Sequence, residues 1–357
     1  MLSTQPQNPS WTIRTYRPGD ERELIALFQR VFGRSMTEAH WQWKLKQLPS
    51  PVANVWMAVD ECDKPIFHSA GIPLRYRLPT GEKIAMVSVD TMTAPEFRRR
   101  GLLTQVGRVM YDTYRAAGIP FVIGLINEQW GSRAPTLGWE ELCPLQWMIR
   151  PLRPEAILAR RVRLPALARF TPAGAVWNRW WDRHMQMDAT VQIRRVAQAG
   201  KEFDILWQTC SADAQVSIVR DSAWVNWRYL TAPSFEYRVL LAERSGQPVG
   251  YTAYRLEETA GRKLGFIAEL LTTRTDVKGY STLIGQTVNQ LRAEGAEAAI
   301  TLAIPTTWIS HAFRRAGFLF SWGSFSVQLV PLDPNLPMDT VRNPQSWFMA
   351  GGDFDSI

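Results

Sequence analysis

Residues 91–104 hold the side chains whose types and spacing best fit a chemical role. They read Thr-Met-Thr-Ala-Pro-Glu-Phe-Arg-Arg-Arg-Gly-Leu-Leu-Thr. An apolar, β-rich run ends at the Pro, and a basic turn with one Gly leads into an amphipathic helix. The amides of a first helical turn have no intrahelical acceptor, and the helix dipole and the arginines add positive potential. The pattern predicts a phosphate-binding turn. A solvated basic turn before an ordinary helix is the alternative.

Two acidic residues near this turn are candidates for proton transfer. Asp90 lies inside an otherwise apolar strand just before the turn, and Glu128 follows the next buried strand. A carboxylate in such a place can act as a general base. The alternative for Asp90 is a strand-end carboxylate that is solvated or bonded to nearby backbone.

The elements that must position these residues can be predicted from hydrophobic periodicity and turn residues. Before the basic turn the sequence predicts helices over residues 21–32 and 38–47 and strands near 54–59, 66–77 and 83–93. A helix over 102–117 and a buried strand over 121–126 follow the turn.

The basic turn resembles the pyrophosphate loop of the GNAT superfamily of acyl-CoA N-acyltransferases, whose pattern is Arg/Gln-x-x-Gly-x-Gly/Ala. Arg98 and Gly101 fit the pattern, and Leu103 stands where the last small residue is expected. The predicted order of elements also resembles the GNAT fold, well over residues 11–150 and by topology alone over about 200–331.

The resemblance implies a role for each residue around the turn. Arg98 would be a supporting charge, Asn127 would touch the cofactor, and Ala134 stands where many GNAT enzymes place a Tyr acid. The amides expected to face the pyrophosphate are those of Arg99, Arg100, Gly101, Leu102, Leu103 and Thr104. The strand edge expected to pair with pantetheine consists of Thr91, Met92 and Thr93.

The chain repeats itself at an offset of 184 residues. Trp43-Lys44 is matched by Trp227-Arg228, and Pro49-Ser50 by Pro233-Ser234. An ordered series of matches indicates two copies of one fold. The predicted fold class is therefore α/β (α+β), with two tandem GNAT-like lobes that each hold a mixed, mostly antiparallel sheet flanked by helices. The arrangement resembles the two-lobe mycothiol synthase and FemABX proteins.

The predicted domains follow from this repeat. They are an N-terminal GNAT domain (11–150), a basic connector (151–200), a degenerate C-terminal GNAT-like domain (201–331) and a tail (332–357). If Gly279 is aligned with Gly101, Asp276 takes the place of Arg98, and an anion would meet an acidic side chain. We therefore expect only the first copy to bind CoA.

The connector carries much of the formal net charge of +8, with nine Arg against three acids, and it holds Trp177, Trp180 and Trp181. Such a segment could lie at an anionic membrane surface or bind an acidic polymer. An interdomain helical connector that buries its Trp is the alternative.

Composition limits the remaining classes. The three Cys and four His are scattered, which predicts neither a disulfide framework nor a metal site. The polar N-terminus and the lack of a long apolar run predict a cytoplasmic protein, with attachment to the inner face of the membrane through residues 151–200 as an extension.

The tail turns apolar after Pro344, which predicts that it docks on the body of the protein. Docking could bring Asp353, Asp355 or the terminal carboxylate near the acceptor site. A tail that only covers apolar surface is the alternative.

The favoured function is transfer of an acetyl group from acetyl-CoA, or of another acyl group from its CoA ester, to an amine by direct attack on the thioester, without a metal. The acceptor class suggested by the resemblance is an amino sugar or an envelope or exopolysaccharide precursor. One alternative is a FemABX-like aminoacyltransferase that uses aminoacyl-tRNA, although nucleic acid is not the favoured partner. The other is a non-catalytic, membrane- or polyanion-binding protein on a GNAT scaffold.

Overall fold

The computed structural model describes residues 11–126, 134–161, 171–259 and 261–354. The strands of this part of the chain are β1 Thr12–Thr15, β2 Val55–Val59, β3 Pro65–Leu78, β4 Gly81–Thr93, β5 Phe121–Ile126, β6 Glu140–Pro151, β7 Val191–Val196, β8 Ser217–Ile218, β9 Arg238–Arg244, β10 Gln247–Thr259, β11 Arg262–Thr272, β12 Ala298–Ala303 and β13 Leu319–Pro331.

The α-helices of the same part are α1 Glu21–Phe32, α2 Glu38–Lys46, α3 Leu102–Ala116, α4 Pro154–Arg161, α5 Thr171–His184, α6 Lys201–Cys210, α7 Ser222–Val225, α8 Val277–Ala293, α9 Trp308–Arg315 and α10 Met338–Val341. A π-helical turn, Asn226–Leu230, extends α7, and short 3-10 turns include Pro95–Phe97, Ala134–Leu137 and Gly351–Asp353.

The elements predicted for the first part of the chain are confirmed to within a few residues. In α1, Leu24, Leu27 and Phe28 are buried at helical spacing, so one face packs on the sheet. The helix ends at Gly33, whose φ of +66° is a left-handed conformation that glycine adopts without a steric penalty.

All strands join one mixed sheet, in the order β1-β2-β3-β4-β5-β13-β6-β12-β11-β10-β9-β7, with β8 paired to β3. The order is nearly symmetric about its centre. On one side of the central pair β13–β6, strands β5, β4, β3, β2 and β1 follow one another to the edge of the sheet. On the other side, β12, β11, β10, β9 and β7 follow in the corresponding places. The parallel pair β4–β5 of the first half corresponds to the parallel pair β11–β12 of the second.

The two halves exchange their last strands. Strand β13 lies between β5 and β6, and β6 pairs on its other edge with β12. Strand β7 lies within residues 151–200, the predicted connector, and pairs with β9. The connector therefore contributes its two helices, α4 and α5, and the first strand of the second half.

Two helices cover opposite faces of the first half. On α3, buried Leu102, Val106, Met110 and Tyr114 share a cluster with residues such as Met86 of β4 and Val122 of β5. Helix α2 contributes Trp43 and Leu45 to the large cluster on the other face. The gap between β4 and β5 therefore lies between two packed layers.

The tail docks on the body of the protein, as predicted. The Trp347 ring is buried, and its indole N–H donates to the carbonyl of Val341 at 2.7 Å. The backbone of Val216 hydrogen-bonds Ser346 and Phe348 on either side of Trp347. Tail residues are therefore part of the core.

Candidate active site between β4 and β5

The basic turn ends at the N-terminus of α3. Arg99 has a φ of +65° and Gly101 a φ of +83°, so two residues of the turn adopt left-handed backbone conformations before the helix begins. No side chain caps α3 at Gly101. Among the described residues, none accepts a hydrogen bond from the amides of Leu102, Leu103 or Thr104. These amides, at the positive end of the helix dipole, fit an anionic ligand.

The arginines of the turn are exposed at this helix end, as an anion site requires. The Arg98, Arg99 and Arg100 side chains all reach solvent. The Arg98 Nε–H donates to the carbonyl of Thr93 at 3.4 Å, and the Arg100 guanidinium lies 5.0 Å from the centre of the Phe97 ring. Arg98 therefore lies over the end of β4, and Arg100 stacks on the preceding 3-10 turn.

Next to the turn, β4 and β5 diverge. The described strands pair only at Met86–Val122 and Val87–Ile123, although β4 continues to Thr93. The β4 edge formed by Thr91, Met92 and Thr93 thus has no described strand beside it on the β5 side. The gap starts where the sequence analysis placed the pantetheine-pairing edge, and it adjoins the uncapped end of α3.

A β-bulge at Asp90 marks the start of this edge. His68 pairs with Met92 and Ala70 with Val89, so the single residue Ser69 of β3 faces both Asp90 and Thr91 of β4. Asp90 has a φ of +51°, an unfavourable region for a residue with a Cβ. Two hydrogen bonds hold it. The His68 Nδ1–H donates to the Asp90 carbonyl at 2.8 Å, and the Ser69 and Thr91 hydroxyls are 3.0 Å apart.

The Asp90 carboxylate is paired with a lysine that the sequence analysis did not single out as functional. Lys44 Nζ lies 2.6 Å from Asp90 Oδ2, and the exposed side-chain fractions are 1% and 11%. An ion pair this far from water is strong but needs good geometry to offset desolvation. One hint of this lysine is present in the sequence, because a basic residue follows the matched tryptophan in both Trp43-Lys44 and Trp227-Arg228.

His68 is the second residue that the sequence did not reveal. It is fully buried, and burial lowers its pKa, so the ring is neutral near pH 7. Because Nδ1 donates to the Asp90 carbonyl, Nε2 carries no proton, and no described residue hydrogen-bonds it. No sequence pattern distinguishes this histidine from an ordinary strand residue.

Asn127 and Glu128 lie outside the described residues, so their predicted roles remain predictions. Ala134 is buried in the cluster with α3 and accepts a hydrogen bond from the amide of Trp139 at 3.1 Å. It supplies no acidic group.

In the second half, the corresponding helix end is already occupied. Helix α8 begins at Val277, and the Asp276 side chain accepts from the amide of Gly279 at 3.0 Å. Arg244 binds the same carboxylate through two nitrogens at 3.0 and 3.1 Å. Aligning Gly279 with Gly101 is therefore wrong, because Gly279 lies inside α8 and Asp276 holds the N-cap position that Gly101 holds in α3.

Glu269 lies at the corresponding β-bulge of β11, at the register position of Thr91, while Ala268 stands at that of Asp90. The Thr252 hydroxyl donates to the Glu269 carbonyl at 2.8 Å, as His68 does to that of Asp90. The Glu269 carboxylate is buried, and the side chains that donate to it are Arg220, Trp224 and Tyr229. A carboxylate at this bulge can thus be a purely structural member of a buried network.

The tail joins that network. Asp353 is buried and paired with Arg220, while Arg228 donates to the carbonyls of Gly352 and Phe354 at 2.6 and 3.0 Å. The turn Gly351–Asp353 packs on β11 and β12. Asp353 is therefore engaged in the second half, and Asp355 lies outside the described residues.

The described part of the chain holds neither a metal-binding cluster nor a helix that could span a bilayer. No group of three or more His, Cys, Asp or Glu is arranged there to hold a metal ion. None of its helices combines the length and apolar character needed to cross a bilayer.

Comparison with known proteins agrees with this geometry. Residues 12–127 match the family model described as an acetyltransferase (GNAT) domain. No curated protein matches the sequence.

Three solved structures resemble the chain. A GCN5-related N-acetyltransferase from Anabaena variabilis ATCC 29413 has a TM-score of 0.67 at 12% identity, over 90% of this chain and 73% of that one. A probable N-acyltransferase from Enterococcus faecalis V583 has a TM-score of 0.62 at 12% identity, with 90% and 73% covered. A GCN5-related N-acetyltransferase from Kribbella flavida has a TM-score of 0.61 at 14% identity, with 89% and 70% covered.

At sequence identities of 12–14%, the structural similarity establishes the fold alone. The family match lies in the first half of the chain and includes the uncapped N-terminus of α3. The chain thus shares the fold of these N-acetyltransferase structures, and its residues 12–127 match the model of an acetyltransferase (GNAT) domain.

Proposed function

We propose that the protein is an acyl-CoA-dependent N-acyltransferase, with acetyl-CoA as the donor, and that it binds the cofactor in the first half. The observation that carries the proposal is the uncapped N-terminus of α3, with its three exposed arginines, beside an unpaired edge of β4. The amides and guanidinium groups suit a diphosphate, and the strand edge suits the amide groups of pantetheine. The thioester then lies near the bulge at Asp90.

In this reaction an uncharged amine attacks the thioester carbonyl, the C–N bond forms, and the C–S bond breaks to release CoA thiolate. A backbone amide of the β4 edge would stabilise the oxyanion, and a base takes the proton from nitrogen. We propose Asp90 for that base because it lies at the head of the gap. The pairing with Lys44 supports a second, positioning role, in which the ion pair holds the bulge and Glu128 or water takes the proton.

A single cofactor site is supported by two features of the second half. Asp276 caps α8, so its first amides face a carboxylate rather than a ligand. The turn Gly351–Asp353 packs on β11 and β12. We propose that the second half is a degenerate copy of the first and shapes the acceptor side.

For the acceptor we propose an amine on an amino sugar or on an envelope or exopolysaccharide precursor. This proposal rests on the resemblance of residues 90–101 to GNAT proteins of such pathways. The uncapped helix end favours a CoA ester over an aminoacyl-tRNA donor, because a single diphosphate fits it.

The test is calorimetric titration with acetyl-CoA. Wild type should bind in the micromolar range, about −8 kcal/mol. The double variant Arg98→Glu with Arg100→Glu should lose most of this affinity. The matched control is Arg274→Glu with Lys278→Glu, because these exposed residues flank the corresponding helix end of the second half. Equal binding by all three proteins, or loss only in the control, would refute the assignment.

A further inference from the structure

Helix α5 presents a mixed apolar and basic face to solvent. Val176 is 66% exposed and Trp180 is 51% exposed, and the Arg179 and Arg183 side chains are also exposed. At 3.6 residues per turn, these four side chains fall on one continuous face of the helix. Leu158, which is 51% exposed, adds a further apolar side chain from the neighbouring helix α4.

The opposite face of α5 is anchored to the body of the protein. The Asn178 amide donates to the Leu152 carbonyl at 2.8 Å. Asp182 is bound by Arg150 at 2.7 Å and by Arg292 at 3.1 Å. The Trp181 ring packs on Gly317. The exposed face is therefore held in a fixed orientation.

The exposed face of α5 carries two arginines without an acidic partner among the described residues, which favours an anionic binding partner. The acid on this helix, Asp182, is neutralised by Arg150 and Arg292, whereas no described carboxylate lies within ion-pair distance of Arg179 or Arg183. The two arginines line a cleft of about 440 Å³ between α5 and α8, together with Arg292 and its ion-pair partner Asp182. Guanidinium groups beside an open cleft suit phosphate, and a half-exposed Trp suits the boundary between lipid headgroups and acyl chains.

We propose that the exposed face of α5 binds the surface of an anionic phospholipid bilayer. Trp180 and Val176 enter the headgroup boundary, and Arg179 and Arg183 contact lipid phosphates. The proposal does not depend on the cofactor site, because α5 contributes nothing to the gap between β4 and β5. Attachment through this helix would let the protein act on a lipid-linked acceptor.

The test is co-sedimentation of the full chain with vesicles of phosphatidylcholine containing 30% phosphatidylglycerol, and with vesicles of phosphatidylcholine alone. Binding should require the anionic lipid and weaken with added salt. The variant Arg179→Glu with Arg183→Glu should partition about 30-fold more weakly, since it removes two basic residues from the surface. Trp180→Ser should partition about tenfold more weakly.

Two matched controls test whether the location matters. Arg22→Glu with Arg262→Glu makes the same change in net charge at exposed sites on other elements. Ile205→Ser removes an apolar side chain that is 50% exposed on α6. Both controls should bind vesicles like wild type, and thermal unfolding should show that all variants fold.

Quenching by brominated lipids gives an independent readout. Wild type should show a quenched fluorescence component that Trp180→Phe lacks. The proposal is overturned if anionic vesicles are not bound, if the control variants lose as much binding as the α5 variants, or if the protein binds heparin or RNA through this face but not vesicles.

Discussion

The indole rings of Trp43 and Trp227 stack on each other, with centroids 5.0 Å apart and an angle of 18° between their planes. Each indole N–H donates to the main-chain carbonyl of the other residue, at 2.9 and 3.2 Å. The two residues are 184 positions apart, which is the offset of the sequence repeat. The contact is thus reciprocal, as at a two-fold axis, and it joins the α2 region of the first half to the corresponding π-helical turn of the second.

Replacing either tryptophan should weaken the whole chain. Trp43→Ala and Trp227→Ala should each lower the free energy of unfolding by about 3–5 kcal/mol, because each removes a buried ring and leaves a cavity. The double variant should cost less than the sum of the two, since both single changes remove the same stack and both hydrogen bonds. Denaturant unfolding measures this, with Trp180→Ala as an exposed control. Strict additivity would contradict the coupling.

Removing one charge of the Lys44–Asp90 pair should lower the free energy of unfolding more than removing both charges does. Lys44→Met should destabilise the protein by about 3–5 kcal/mol, because it leaves a largely buried carboxylate without its cation. Adding Asp90→Asn to Lys44→Met should recover part of that loss. Urea unfolding of Lys44→Met, Asp90→Asn and the double variant checks this expectation. A double variant that is less stable than Lys44→Met would show that the carboxylate has other essential partners.

The same variants separate the two roles of Asp90. If Asp90 is the base, Asp90→Asn lowers kcat by a factor of about 10² or more, while acetyl-CoA affinity is retained. If it only holds the bulge, kcat changes little and KM for acetyl-CoA rises. Steady-state kinetics, together with calorimetric titration of acetyl-CoA, distinguish the outcomes.

In the second half, Asp276→Ala should cost about 1 kcal/mol of stability, because the amides of α8 lose their cap. Acetyl-CoA binding measured by calorimetry should be unchanged. Asp276→Asn, which keeps a capping oxygen, is the conservative control. A second, weaker acetyl-CoA site that appears in Asp276→Ala would mean that the carboxylate, rather than the docked tail, closes the second half.

Asp353 should make the free energy of unfolding fall as the pH rises, whereas carboxylates in ion pairs usually make it rise. Burial raises its pKa from the ordinary 3.8 to about 6, against the opposing effect of Arg220. The folded state therefore binds this proton more tightly than the unfolded state does. Its contribution to stability is complete below about pH 4 and is lost as the pH rises through about 6, for a total of about 3 kcal/mol.

Asp353→Asn lacks this titration. Relative to wild type, its free energy of unfolding should therefore rise by about 3 kcal/mol between pH 4 and pH 7. Asp339→Asn, at an exposed acid of the tail, should follow wild type across the range. Parallel pH curves for wild type and Asp353→Asn would contradict the assignment.

The helices, strands and turns of the first half could be predicted from the sequence, because each depends on the pattern of a few neighbouring residues. The apolar spacing of α1 and α3 and the turn at Gly101 each depend on a few neighbouring residues. The docked tail was also predictable, since Trp347 and Phe348 are too apolar for a free segment. The Trp-Lys and Trp-Arg match indicated the symmetry of the sheet.

The partners of buried charges could not be predicted, because they come from distant parts of the chain. Lys44 lies 46 residues before Asp90, and Arg220 meets both Glu269 and Asp353. The predicted match of Gly279 with Gly101, which put Asp276 opposite Arg98, was wrong because the turn before α8 places Asp276 at the N-cap. The exchange of β6 and β13 could not be predicted from local sequence, because the residue pattern of a buried strand does not depend on which neighbouring strands it pairs with.

That exchange has a consequence for synthesis on the ribosome. The edge of β5 is completed by β13, whose last residue is Pro331. The domain that is translated first therefore has to wait for nearly the whole polypeptide to emerge before its sheet is complete. A nascent chain halted after residue 260 would expose β5 and β6 as unsatisfied edges, which makes this intermediate a client for chaperones.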